Sequence, residues 1–233
     1  MFLVFLSPTA LPSAPADHSP IVPLSTCERG LTGESITVAR SPQPHHGSDS
    51  NESPCRMWQM HFSLIKLESD HLDQIIEVQS LVYPAGYHES ADVFHRKLST
   101  SDASGHRPIA YGHRDDEYGL LASYGIAHPW ISHEPPPMHS QNWALPAECD
   151  IVHLHDIAVA PTFRGRRLAT ALLEKIIETA IADGWRKMTL VAVRDSWPFW
   201  EGLGFTTIRP HDYVGERGFW MQRLLVPMTT AAH

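Results

Sequence analysis

Between residues 151 and 193 the chain runs IVHLHDIAV, then APTFRGRRLA, then TALLEKIIETAIADG, and after two more residues KMTLVAV. The last segment carries almost no polar side chains, so as a strand it must be covered on both faces. The helix between the two strands, Leu168 to Asp183, puts Leu172, Ile176 and Ala180 on one edge of its apolar stripe and Leu173, Ile177 and Ile181 on the other. Asp183-Gly184 ends it. One helix joining two such strands predicts a right-handed parallel crossover at the centre of a sheet.

The remaining elements are arranged around that unit. MHFSLIKL reads as a first strand and Glu68 to Val82 as a helix, broken by the turn at Pro84 and Gly86. Ser90 caps a second helix, Ala91 to Leu98. RPIAYGHR and YGLLASYGIA read as two strands joined through Asp115, Asp116 and Glu117. HPWISHEPPPMHSQNWALPAECD is a long, proline-interrupted connection, and connections of that length in a compact domain usually carry function. SWPFWEGLG is a short helix closed by Gly204, and FTTI and GFWMQRLLV are the last strands. The predicted class is α/β, with one folded domain over residues 58–228. Residues 1–57 are rich in Pro and Ser and are expected to be a disordered tail, and residues 229–233 form a short C-terminal tail.

A formal charge of -8 argues against general nucleic-acid binding, which needs a basic face, and suits a cationic substrate. The three cysteines, Cys27, Cys55 and Cys149, are odd in number and widely spaced. They form neither a disulfide framework nor a zinc pattern and fit a reducing, cytoplasmic setting. No apolar run has the length of a membrane span, and MFLVFL is too short for a signal core.

The loop FRGRRLA is where chemistry becomes readable. A strand that runs through a glycine-containing loop into a helix presents backbone N–H groups where the helix dipole is positive, which makes an anion site. Arg164, Arg166 and Arg167 add charge around Gly165, Leu168 begins the helix, and the small Ala169 lets a ligand approach. A diphosphate fits. The loop lacks the Gly-Lys-Ser/Thr ending of a nucleotide-hydrolysing loop and the three glycines of a dinucleotide fingerprint. On the loop alone, a solvated basic helix start is an equally good reading.

Val159, Pro161, Arg164-Gly165-Arg166-Arg167-Leu168-Ala169 and the following amphipathic helix resemble the acetyl-coenzyme A motif of the GNAT acetyltransferases. PFWEGLGF at 198–205 resembles that superfamily's Phe-Tyr-x-x-x-Gly-Phe block. HLHDIAVAPTFR is most similar to the arylalkylamine N-acetyltransferases within it. The resemblance implies a mixed, mostly antiparallel sheet with a parallel centre pair, flanked by helices. It also implies acetyl-CoA as co-substrate and transfer to a small primary amine, an arylalkylamine or polyamine, in a ternary complex. A non-catalytic acyl-CoA-binding module and a protein or peptide N-acetyltransferase are the alternatives. Two residues depart from the pattern. Arg167 replaces the motif's most constant glycine, and Trp200 replaces the tyrosine associated with protonating the departing thiolate, although indole has no proton to give at useful pH.

An alkylamine is mostly ammonium at neutral pH, so transfer needs a proton acceptor. His153 and His155, two apart on one strand, share a face and are the expected base, directly or through water. Their alternative is a structural role, the commoner fate of a histidine. HxH without recognisable third and fourth ligands does not predict a metal. By resemblance, Ile157 and Val159 belong to the strand edge that holds pantetheine and could polarise the thioester carbonyl through a backbone N–H. Trp200 is expected beside the thiol. Tyr83, Tyr87, His88 and Glu89, with Trp130, are candidates for the acceptor site or, equally, packing groups. Water, Tyr213 or Ser196 is the expected thiolate proton source.

Overall fold

The computed structural model describes residues 61–140 and 143–226. The expected tails at 1–57 and 229–233 lie outside the described residues. Seven strands are formed: β1 Phe62–Lys66, β2 Ile109–Asp115, β3 Leu121–Trp130, β4 Ile151–Val159, β5 Lys187–Val193, β6 Thr206–Tyr213 and β7 Glu216–Leu224. The helices are α1 Leu72–Val82, α2 Ala91–Ser99, α3 Leu168–Ala182 and α4 Trp197–Gly202. The strands compose one mixed sheet in the order β1-β2-β3-β4-β5-β7-β6, in which β4 and β5 are parallel and the other neighbours antiparallel. This is the α/β architecture expected, with the crossover β4-α3-β5 at its centre.

Each sheet face has its own core. On one, Val78, Val82 and Tyr83 of α1 and its end and Phe94 and Leu98 of α2 pack with Tyr124, Ile126 and Ala158. On the other, Leu172, Leu173 and Ile176 of α3 and Trp200 of α4 pack with Leu154, Ile157 and Leu190. Coverage from both sides explains why β3 is buried along all ten residues and β5 along all but Lys187.

Several boundaries differ from the sequence reading, and three of them bear on packing or pairing. The helix expected from Glu68 begins at Leu72, because Ser69–His71 form a tighter turn in which Glu68 and His71 cap one another. Strand β3 continues through His128-Pro129-Trp130, which the sequence reading assigned to the connection. Pro129 faces Val152 near the strand's end, where loss of one donor is tolerated, and Trp130 and Ile151 belong to a third small core with Trp143. Strand β6 extends beyond FTTI to Tyr213, paired along β7.

Gly218 marks the tightest strand approach. A Cβ there would lie 2.8 Å from the Ala192 carbonyl oxygen and 3.2 Å from that of His211, both backbone atoms held by pairing. Gly218→Ala is therefore expected to lower the unfolding free energy by about 1–3 kcal/mol, measured as a reduced midpoint in urea.

Candidate active site

The parallel strands at the sheet centre pair only at Val152 with Met188 and His153 with Thr189. Beyond His153 the partners separate: β4 continues against β3 and β5 against β7. A fork results. The Ala160 N–H donates to Ala122 on β3 at 2.9 Å, so by strand alternation the N–H groups of Val159 and Ile157 point the other way, into the fork.

The mouth of the fork leads to the basic loop. Gly165 has φ 77°, and a Cβ built there meets nothing within 4 Å, so the loop backbone is open to a ligand. The first intrahelical bond of α3 runs from the Ala171 N–H to the Arg167 carbonyl at 3.1 Å, which leaves the N–H groups of Leu168, Ala169 and Thr170 ahead of it. Arg164 is half-buried and its Nε donates to the Val159 carbonyl at 3.4 Å, while Arg166 and Arg167 are exposed. Open backbone, helix N–H groups and three guanidinium groups suit the diphosphate of a coenzyme A.

Arg167 caps α3 with φ 62° and ψ 17°, the left-handed conformation that glycine adopts without strain. The arginine thus keeps the backbone shape of the glycine it replaces and sends its side chain to solvent. Arg167→Gly should stabilise the fold by about 1 kcal/mol at most, because the gain at the cap is offset by a more flexible unfolded chain. Calorimetric titration should find coenzyme A affinity within about threefold of wild type, one exposed charge near a phosphate contributing little.

At the root of the fork, strand alternation fails in a consequential way. Ile126 faces Asp156 but Ala127 faces Leu154, so His155 is an extra residue, a β-bulge. The bulge turns His155 and Asp156 to the same face as His153, toward α1 and α2, while Leu154 and Ile157 remain in the core beneath α3. Glu89, from the turn before α2, accepts hydrogen bonds at its Oε2 from Lys97 Nζ at 2.5 Å and contacts His155 Nε2 at 2.8 Å. Lys97 Nζ and His155 Nε2 lie 2.8 Å apart, closing a triangle. Asp156 accepts from Tyr83 Oη and Tyr124 Oη, both at 2.5 Å. Tyr83 also reaches the Ile157 carbonyl at 3.1 Å.

This polar floor is sealed: Lys97 is 0% exposed, His155 3% and Glu89 5%. Burial alone would raise the Glu89 carboxyl, but His155 and Lys97 overrule it and hold it well below the carboxylate range. Burial pulls Lys97 below an ordinary lysine, against the raising pull of Glu89. It drives His155 down to about 3, with Lys97 adding to the effect. His153 is pushed well down by burial and by His128 and His155, and its Nδ1 is bonded to Thr189 Oγ1 at 2.9 Å. Burial lifts Asp156 to about 6 despite two phenol donors. Both histidines are therefore neutral at physiological pH and, alone, weak proton acceptors.

The expected acceptor residues are close together but enclosed. Tyr83, Tyr87 and Glu89 are each 5% exposed, and His88 bonds the Tyr83 carbonyl at 2.7 Å. Trp130 donates through Nε1 to the Glu134 carbonyl at 2.9 Å and stacks on Trp143, anchoring the loop. An open groove of about 530 Å³ lies beside them, lined by Glu134, the three prolines 135–137, His139, Asp212 and Tyr213. His139 ties this loop to Gly86 at 2.9 Å, and Tyr213 feels the charges of Glu89 and Asp156 as well as burial, which together raise its pKa. Trp200 is wholly enclosed between Phe199 and Phe205, and Ser196 Oγ donates to the Val193 carbonyl at 2.7 Å.

Sequence reasoning missed Lys97, Asp156, Tyr124 and His128. Lys97 lies in the predicted second helix with nothing in its neighbours to mark it as buried, and Asp156 would have faced away from the histidines in an unbroken strand. His128, whose ring lies 5.8 Å from His153 and 5.7 Å from His155, sat in a segment read as loop. Among the described residues, no group of three His, Cys, Asp or Glu side chains is placed to hold a metal ion, and no helix is long and apolar enough to cross a membrane.

Residues 83–205 match the family model described as the acetyltransferase (GNAT) family. No curated protein matches the chain significantly in sequence. Among solved structures, the loading GNATL domain of CurA from Lyngbya majuscula aligns with a TM-score of 0.56 at 10% identity, over 71% of this chain and 98% of that one. The ribosomal-protein-S18-alanine N-acetyltransferase from Escherichia coli aligns at 0.51 and 17% identity, over 74% and 99%. NAA60 of Arabidopsis thaliana, in complex with acetyl-CoA, aligns at 0.53 and 12% identity, over 71% and 99%. At such identities the likeness is one of fold.

Proposed function

As this chain belongs to the acetyltransferase (GNAT) family, whose donor is an acyl-coenzyme A, we propose that it transfers acetyl from acetyl-CoA to a small primary amine of the arylalkylamine or polyamine type. The observation that carries this reading is the fork between β4 and β5, which joins a basic loop at its mouth to buried proton-handling groups at its root. The loop residues Arg164, Gly165, Arg166, Arg167, Leu168 and Ala169 would hold the diphosphate. The edge at Ile157 and Val159 would run beside the pantetheine arm, with an N–H there available to the thioester oxygen. The bound thioester supplies an activated acetyl group.

The acceptor would enter through the groove between the proline loop and the β6-β7 hairpin. Its exposed carboxylates, Glu134 and Asp212, favour a cation, and its aromatic wall at Tyr213 favours an organic one. Holding amine and thioester together supplies the largest part of the rate, on the order of 7–11 kcal/mol for well-aligned reactants. His155, rather than His153, is the group through which protons move: it is the first inward residue past the point where the strands part, whereas His153 is still within the pairing and bonded to Thr189.

The competing reading is an acyl-CoA-binding module without turnover, favoured by the enclosure of Trp200 where the family pattern has a tyrosine. A thiol-release assay with an amine panel separates the two. Saturable release that depends on a cationic amine is expected; coenzyme A binding without acceptor-dependent release would favour the module.

A further inference from the structure

From the Glu89–Lys97–His155 triangle we infer that Lys97, acting through His155, supplies the proton taken by the departing thiolate, in place of the tyrosine that Trp200 replaces. This rests on the acetyltransferase reading above. Lys97 Nζ lies 2.5 Å from Glu89 Oε2 and 2.8 Å from His155 Nε2, and Nε2 lies 2.8 Å from Oε2. An ammonium can direct one proton to each partner, so in the resting state Nε2 is an acceptor and the ring proton resides on Nδ1. The remaining edge, Nε2 to Oε2, then has no proton between its atoms.

One proton shift changes this. As the C–S bond of the tetrahedral adduct breaks and its electron pair goes to sulfur, the Nδ1–H bond breaks and an S–H bond forms. A proton from Nζ simultaneously moves to Nε2. His155 is left neutral with its proton on Nε2, where it meets both Oε2 and the new lone pair of Nζ. Lys97 is left as a neutral amine that still donates to Oε2. All three edges of the triangle are now hydrogen-bonded, so the geometry serves both ends of the transfer. The proton that the adduct's nitrogen loses as it becomes an amide is taken at Nδ1 and returns by the reverse route to Nζ, so that no solvent proton has to reach the sealed floor.

The surroundings suit an ammonium that parts with a proton. Full burial weakens its hold, and Glu89, Asp156 and the Trp143 ring, 5.9 Å from Nζ, keep it charged at rest. The imidazolium of His155 is strongly disfavoured, so the two proton movements are concerted. Lys97 never meets the substrate and is a positioning residue in this scheme. Arginine keeps the charge but cannot release a proton, and because it is bulkier at this fully buried site its loss of rate counts for the relay only with urea stability and the KM for acetyl-CoA near wild type.

The test uses the full chain and has two readings. In side-chain ¹⁵N spectra of the four lysines, Lys66, Lys97, Lys175 and Lys187, one resonance, assigned by its loss in Lys97→Met, should turn from ammonium to amine at lower pH than the others. The kcat of wild type should fall through the same pH. Lys97→Arg, which keeps the charge but cannot release a proton, should lose about 100-fold or more in kcat. Its KM for acetyl-CoA should be unchanged and the alkaline fall absent. Four lysines titrating together would overturn the relay whether or not the variants fold, as would a Lys97→Arg enzyme with wild-type rate and pH profile. If wild type releases no thiol with any amine, the relay fails together with the reading it rests on; release without an early-titrating lysine overturns the relay alone.

Discussion

Replacing Glu89 by leucine should lower the unfolding free energy by about 3–5 kcal/mol near neutral pH, because it leaves the ammonium of Lys97 buried without its counter-charge. The loss should depend on pH with a definite sign. In the variant, folding depresses Lys97 below its unfolded value, so the penalty is complete below the folded pKa and fades as pH rises toward about 10.4, the unfolded value. In wild type the depressed Glu89 acts oppositely: its stabilisation is complete above the ordinary carboxylate value of about 4.3 and is lost as the pH falls below it. The double variant Glu89→Leu/Lys97→Met removes both charges and should recover most of the loss, since a well-packed apolar pair often matches a buried ion pair. Urea unfolding of wild type and the two variants across pH measures this. A double variant no more stable than Glu89→Leu would contradict the pairing.

His155→Ala should reduce kcat by about 10²–10⁴-fold with the KM for acetyl-CoA nearly unchanged, the range for losing a proton-transferring group. His153→Ala should cost far less, within about tenfold, because its ring lies on the closed side of the fork, bonded to Thr189. Steady-state kinetics of both variants against one accepted amine decide the matter. Equal losses would restore the simpler view drawn from the sequence, in which the two imidazoles share the work.

Much of this molecule was legible before its structure. The apolar KMTLVAV segment and the helix preceding it defined the parallel centre, and that crossover is β4-α3-β5 in the structure. The loop from Arg164 to Ala169 could likewise be singled out as a candidate, because an anion site at a helix start would be made by contiguous residues. The strange member of the loop, Arg167, turned out to preserve a glycine's backbone geometry, with φ 62°. Sequence could expose the substitution but not show that the turn survived it.

The root of the fork was less readable for a physical reason. Its residues come from the turn between α1 and α2, from α2, and from β3 and β4, and local periodicity says nothing about which of them meet. Lys97 lies within a short amphipathic helix and would ordinarily be solvated, yet it is fully buried against a carboxylate that its own sequence neighbourhood does not reveal. Asp156 illustrates a second obstacle. A single inserted residue in β4 reverses the facing expected from alternation, and nothing in HLHDIAV marks where the strand will bulge. The acceptor residues show a third. Tyr83, Tyr87 and Glu89 do come together, but burial makes them part of the floor, while the open carboxylates beside them, Glu134 and Asp212, come from the connection after β3 and from β6, far apart in sequence.

The central claim is transfer of acetyl from a coenzyme A thioester to an amine at the fork of β4 and β5. Its most direct test is mass spectrometry after incubating the full chain with ¹³C-labelled acetyl-CoA and a panel of arylalkylamines and polyamines. The account predicts a labelled N-acetyl amine formed in equal amount with free thiol, and loss of both in His155→Ala. Thiol release without a labelled amide, or no release with any amine, would contradict it.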